Sequence, residues 1–174
     1  PNGAGKTTLT KLLTGIIQPS SGSVKVAGLI PGSHQKKLLR QIGVMFGQKS
    51  QLSWNLPAVD TLNMLAAIYQ LKPDHYQARL RELCDLLDIG EIVKTPVRKL
   101  SLGQRIRCEL ACSLIHEPSY LFLDEPTIGL DLLTQEKIYN FLKTENRLHQ
   151  TTIILTSHNV RDIEALAQRL LILS

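Results

Sequence analysis

The 174-residue sequence carries 20 Lys and Arg against 15 Asp and Glu, a formal net charge of +5, with 43% hydrophobic and 20% charged residues. That composition excludes a disordered chain, and the length suits one domain with its own core. No apolar run approaches the roughly 18 residues of a spanning helix, and no charged-then-apolar leader is visible, so neither a membrane span nor a secretion signal is expected. The charge is uneven: residues 1–59 hold Lys6, Lys11, Lys25, Lys36, Lys37, Arg40 and Lys49 with no carboxylate, whereas residues 60–174 sum to −2. An acid-free start suits an anionic partner or a solvated surface, and charge alone does not decide between them.

The chain opens on Pro1-Asn2-Gly3-Ala4-Gly5-Lys6-Thr7-Thr8, the Walker A pattern G-x-x-x-x-G-K-[ST] without its first Gly. Gly3 and Gly5 let backbone N–H groups close around phosphate, Lys6 adds a point charge, and the Thr7 hydroxyl suits Mg²⁺. A helix must follow, because its N-terminal amides and dipole complete the anion site. Leu9, Leu12, Leu13 and Ile16 supply the helical period and Gly15 a stop. A strand should precede the loop, so the sequence is expected to be part of a longer domain that begins before Pro1.

Downstream, turn residues frame a short strand at Ser23–Ala27, a basic helix spans His34–Gln41, and an apolar strand spans Ile42–Phe46. Helices are expected over Asp60–Leu71, Pro73–Asp88 and Leu102–His116, with a linker at Gly90–Leu100. Tyr120–Leu123 reads as a fully buried strand. A helix over Leu132–His149, a strand at Thr152–Thr156, a helix at Val160–Gln168 and a strand at Leu170–Leu173 complete the pattern. Strand–helix alternation at both ends predicts an α/β fold with a mostly parallel sheet and an inserted helical part.

Two further groups carry chemistry. Asp124 and Glu125 close the apolar strand, at the carboxyl end where open α/β sheets bind ligands. Asp124 suits a metal-holding Walker B carboxylate, and Glu125 suits a base for the attacking water. Leu100-Ser101-Leu102-Gly103-Gln104-Arg105 is the second group. Ser101 and Gln104 fit a capping box, but Gly103 costs near 1 kcal/mol in a first helical turn, which an approaching phosphate would explain. Cys84, Cys108 and Cys112 form no CxxC pair and are expected to be buried small hydrophobes. His34, His75, His116 and His149 are expected to be surface or structural residues, and core packing is the default for the lone Trp54.

In order and spacing, Walker A at Asn2–Thr8, Gln48 after a strand, Leu-Ser-Leu-Gly-Gln at 100–104, Asp124-Glu125, Gly129-Leu130-Asp131 and His158 resemble the nucleotide-binding subunit of an ABC transporter. Phe46–Leu52 with Trp54, Leu56 and Pro57, and the Leu-Gly-Gln-Arg form of the signature, resemble bacterial exporter-type ATPases. The resemblance implies a P-loop NTPase core over residues 1–47 and 117–174, with a Q-loop and helical signature part over 48–116. All belong to a single ATPase domain over 1–174, incomplete at its start. It implies ATP and Mg²⁺ as cofactors, with Asn2, Gly3, Ala4, Gly5, Lys6, Thr7 and Thr8 on the nucleotide and Thr7, Gln48 and Asp124 on the metal. Glu125, His158 and Gln48 would be catalytic. Ser101, Gly103, Gln104 and Asp131 would contact the nucleotide of a second subunit, and Asp131 also suits a cap for the helix after it. Leu102 departs from the commoner Ser-Gly-Gly form.

The implied partners are transmembrane permease subunits, received in part by Ser53–Pro57, and a second ATPase subunit, identical or homologous. The implied location is the cytoplasmic face of a membrane, held peripherally. The competing reading is a soluble ABC-type ATPase acting on ribosome or DNA. The basic start is compatible with that reading, but the single cassette without a long coiled-coil insertion does not favour it, so no nucleic-acid partner is expected.

Overall fold

In the computed structural model, which describes residues 5–47 and 49–173, three parallel strands order as β1–β2–β3: β1 Ile42–Phe46, β2 Tyr120–Asp124 and β3 Thr152–Thr156. The central strand must be apolar on both faces, and Leu121, Phe122 and Leu123 are all buried. Register sets Asp124 between Phe46 and Thr156, so all three strands end level at their carboxyl ends.

Helix α1, Lys6–Leu13, starts directly from Gly5, and Thr14 caps its end. Helix α2 spans Gln35–Leu39 and buries Leu38 against Ile42 and Phe122. Helices α3, Ala58–Ile68, and α4, Pro73–Leu87, pack on α5, Leu102–Leu114. The C-terminal half of α5 is buried all round, Cys108 to Leu114 without a break, as expected of a helix between two layers. Leu62, Leu83, Leu110 and Leu114 are fully buried there, each stabilising by about 1.5–3 kcal/mol. Helix α6, Leu132–His149, presents the stripe Gln135, Ile138, Tyr139, Phe141, Leu142 and Glu145, and α7, Val160–Leu166, packs on it. One apolar cluster runs from α3 through α5 and β2 to α6.

A buried ionic contact joins α4 to α6. Arg79 Nη2 donates to Glu145 Oε1 at 2.6 Å, with the side chains 1% and 0% exposed. Arg79 Nη1 also donates to Glu82 Oε2 at 2.7 Å, and His149 Nε2 lies 2.8 Å from Glu82 Oε1. Partial burial raises the Glu82 carboxyl, but the bonds and charges of Arg79 and His149 outweigh it and hold the group below its usual range. His116 donates to the Ile42 carbonyl at 2.9 Å and stacks on Tyr69 at 3.9 Å; burial pushes its pKa down. Both are structural histidines. Cys108 and Cys112 are buried and Cys84 partly so, and burial pushes the Cys108 thiol up to about 12.

Two expected strands are absent among the described residues. Ser23–Ala27 contributes only the bridge of Val26 to Leu29, closed by a turn through Ala27 and Gly28 at positive φ; a turn that tight leaves one pair instead of a ladder. Leu170–Leu173 has apolar residues but no neighbouring strand, and Leu170, Leu171 and Ile172 are 60%, 75% and 79% exposed. The helices at 34–41, 102–116 and 160–168 are each two or three residues shorter than their apolar periodicity suggested, and the one at 60–71 is shifted to start at Ala58 and end at Ile68. No helix of the described residues is long and apolar enough to cross a membrane.

Glu145→Ala should destabilise the chain by about 3 kcal/mol in urea unfolding, because it leaves the Arg79 charge buried beside weaker partners. The double variant Arg79→Met/Glu145→Leu should recover most of that loss; a double variant no more stable than the single one would contradict the assignment.

Candidate functional site

The carboxyl end of β2 organises the site. Asp124, 7% exposed, accepts from Thr7 Oγ1 at 2.8 Å on one oxygen and from Thr156 Oγ1 at 2.5 Å on the other. Thr156 follows from register, since it is Asp124's paired residue on β3. Thr7 arrives from the first turn of α1, whose N-cap is Gly5 at φ 86°, a left-handed conformation that favours glycine. Gly5 brings no side chain to cap the helix, and no acidic residue lies in the first turn. Lys6 and Thr7 therefore stand at a positive helix end suited to an anion.

Glu125 follows with φ 54° and precedes Pro126. Left-handed backbone is uncommon for a residue with a Cβ, and proline disfavours the right-handed helical region for the residue before it. The Glu125 amide donates to the Thr156 carbonyl at 3.0 Å, holding the turn on β3. Its carboxylate Oε2 lies 2.9 Å from His158 Nδ1, with side chains 21% and 50% exposed. Thus Gly5, Lys6, Thr7, Asp124, Glu125 and His158 converge at one end of the sheet. Asn2, Gly3, Ala4 and Gln48 lie outside the described residues.

Ser101, Gly103, Gln104 and Asp131 form a second group. Gln104 N donates to Ser101 Oγ at 3.2 Å and Ser101 N to Gln104 Oε1 at 2.9 Å, a complete capping box on α5. A Cβ on Gly103 would stand 2.9 Å from the Thr134 methyl. The approach of the first turn of α5 to Thr134 on α6 leaves little room for a side chain at this position. Asp131 caps α6, accepting from Thr134 N at 3.0 Å and Thr134 Oγ1 at 2.7 Å; these bonds to Thr134 hold its carboxyl below the usual range. Among the described residues no hydrogen bond joins Ser101, Gly103 or Gln104 to Asp124, Glu125 or His158.

Trp54 is not core: it is 56% exposed with the Arg105 guanidinium 5.3 Å above its ring, and Leu56 and Met64 are exposed too. Sequence reading also missed Glu109 on α5. This buried carboxylate accepts from Ser50 Oγ and, at 3.3 Å, from Gln51 N, tying the segment after Gln48 to the signature helix. Burial pushes its pKa up, against the lowering effect of the Ser50 hydroxyl and the Gln51 and Leu52 amides. No motif spacing marks it; a Glu within the largely apolar stretch 108–115 was the available signal.

The donors around Asp124 are hard oxygens, a carboxylate and the Thr7 hydroxyl, which suit Mg²⁺. Among the described residues no cluster of three or more His, Cys, Asp or Glu could hold a metal. A magnesium ion here would take its remaining oxygens from phosphate and water, its usual manner of binding.

A helix start bearing Gly-Lys-Thr, set against an acidic strand end of a parallel sheet, defines a P-loop nucleotide-binding α/β domain. The chain belongs to the ABC transporter family, whose model matches residues 1–128. It is 29% identical to the ABC transporter ATP-binding protein NatA of Bacillus subtilis over 99% of this chain and 70% of that protein. It is 34% identical to the daunorubicin resistance ATP-binding protein DrrA3 of Streptomyces coeruleorubidus, over 98% of this chain and 53% of that protein. The chain thus spans between about half and 70% of these relatives. Among solved structures it resembles a dimeric ATP-binding cassette in a post-hydrolysis state with ADP and Pi, at TM-score 0.80 and 26% identity over 92% of this chain and 73% of that one.

The raised Glu109 pKa has a sign. The folded state holds that proton to higher pH than the unfolded chain, so stability falls as pH rises from the ordinary carboxylate value through the folded one. Urea unfolding from about pH 4 upward should show wild type losing stability relative to Glu109→Gln, then a constant difference. A difference that is flat throughout would contradict the assigned shift.

Proposed function

We propose that this chain is the ATP-binding and ATP-hydrolysing part of an ABC transporter, driving export through ATP-dependent closure of two such subunits. The observation that carries the reading is the Thr7–Asp124–Thr156 arrangement with the Glu125–His158 contact beside it. Backbone amides and Lys6 of Asn2–Thr8 cradle the phosphates of ATP. Thr7, Asp124 and Gln48 would hold Mg²⁺, which would supply positive charge against the phosphates of ATP. Glu125 orients and deprotonates the attacking water. His158, freed from Glu125, donates to the γ-phosphate. Most of the rate acceleration comes from these fixed charges and donors.

Among the described residues Ser101, Gly103 and Gln104 make no bond to that centre, which supports their acting on the nucleotide of a second subunit, with Asp131 at the same junction. The dimeric state of the solved cassette supports the same arrangement. Closure gains only what ATP contacts add in the closed state. Export is supported by the daunorubicin resistance relative and by the exporter-like residues 46–57. Exposed Trp54, Leu56 and Met64 suit a docking groove for transmembrane permease subunits, placing the chain peripherally on the cytoplasmic face. The ribosome or DNA reading gains no support from these relatives, which are transport or resistance subunits.

In the full-length protein, Glu125→Gln should bind ATP with near wild-type affinity and lose turnover by about 100-fold or more. Equilibrium nucleotide binding with phosphate-release kinetics checks this, and near-normal turnover would rule Glu125 out as the essential carboxylate.

A further inference from the structure

Asp162 on α7 is fully buried, and its partners are three neutral hydroxyls from three different segments. Thr127 Oγ1 donates between its two oxygens, at 2.8 and 2.7 Å. Ser157 Oγ donates to Oδ2 at 2.5 Å and the Tyr139 hydroxyl to Oδ1 at 2.5 Å. Burial, then the bond to Asp162 and its charge, push the Tyr139 phenol up, so it remains a donor. Ser157 Oγ in turn accepts from Asn159 N at 2.9 Å, and the Asp162 amide donates to the Asn159 carbonyl at 3.1 Å. The loop bearing His158 is therefore bonded to Asp162 on both sides of that residue, through Ser157 to the carboxylate and through the Asn159 carbonyl to the backbone amide.

A charge buried among neutral hydroxyls is a costly way to obtain stability, since apolar packing of like volume does as well or better. Its return is geometric. Thr127 lies two residues beyond Glu125 and Ser157 immediately precedes His158, so Asp162 spans the two ends of the Glu125–His158 contact at 2.9 Å. Tyr139 fixes the carboxylate to the long helix α6.

We propose that Asp162 is a positioning residue that sets the place of His158 relative to Glu125, acting through Ser157 with Thr127 as the fixed reference. It touches neither ATP nor water itself. The inference rests on the ATPase reading above and adds a residue to it.

The test uses the full-length protein: kcat, KM for ATP and melting temperature for Asp162→Asn and Ser157→Ala, each alone and combined with His158→Ala. Misplacement of a catalytic group by an ångström costs up to 100-fold, so Asp162→Asn should lower kcat by about tenfold or more. KM should stay within about twofold, because P-loop contacts to ATP are untouched. With His158 already replaced, the same substitution should lower kcat by less than about threefold, the non-additivity expected of residues acting as a unit. Ser157→Ala deletes a single hydroxyl and should repeat the pattern at smaller amplitude, which keeps the idea testable if Asp162→Asn does not fold. Wild-type kcat in either single variant, or equal fold-losses with and without His158, would overturn the inference. Absence of turnover in wild type would overturn the ATPase reading, and this inference with it.

Discussion

A carboxylate at the end of a strand buried on both faces has few ways to be satisfied, and Asp124 has two: a hydroxyl from α1 and one from β3. Parallel pairing in fixed register provides the second, because Thr156 is opposite Asp124 wherever the two strands pair correctly. The first requires α1 to start within reach, which the left-handed Gly5 allows. A one-residue slip of β3 would turn Thr156 to the other face and leave a buried carboxylate oxygen unpaired, at a cost of about 1–3 kcal/mol or more. Register, loop and helix start are therefore one constraint, and the chemistry of the site sits on it.

Around that centre, polar groups buried away from the site hold the elements in relation to one another. Arg79 and Glu145 fix α4 to α6, Glu109 fixes α5 to the segment after Gln48, and Asp162 fixes α7 to both site loops. Apolar burial supplies most of the stabilisation and is indifferent to small slides of one helix on another. Each buried carboxylate removes that indifference at one junction, because its bonds have a direction and a length. The Gly103–Thr134 approach does so sterically, bringing the signature turn against the start of α6, where a side chain would not fit.

Much of this was legible in the amino-acid order. The Gly-Lys-Thr run predicted a helix starting at once after Gly5, and the apolar run into Asp-Glu predicted both the central strand and the end that carries the carboxylates. The capping box at Ser101 and the cap at Asp131 were readable because they are local, three residues apart. The misses share a cause: their deciding contacts are long-range. Ser23–Ala27 and Leu170–Leu173 have strand composition, but pairing needs a neighbour the local pattern does not record. Residue type alone would put Trp54 inside, whereas the resemblance placed it in the Ser53–Pro57 groove; it is exposed, with Arg105 against its ring. The crowding at Gly103 comes from Thr134, 31 residues on. No local pattern marks Asp162, because Thr127, Tyr139 and Ser157 come together only in the fold.

The central claim is that Asp124, braced by Thr7 and Thr156, is where the divalent cation of a bound nucleotide is held. Titration of the full-length protein with ATP, in Mg²⁺ and then in EDTA, for wild type and Asp124→Asn tests it most directly. The account predicts that wild type binds ATP more tightly with Mg²⁺ than without, and that Asp124→Asn, still folded, binds equally in the two conditions. An undiminished Mg²⁺ dependence in Asp124→Asn would contradict it.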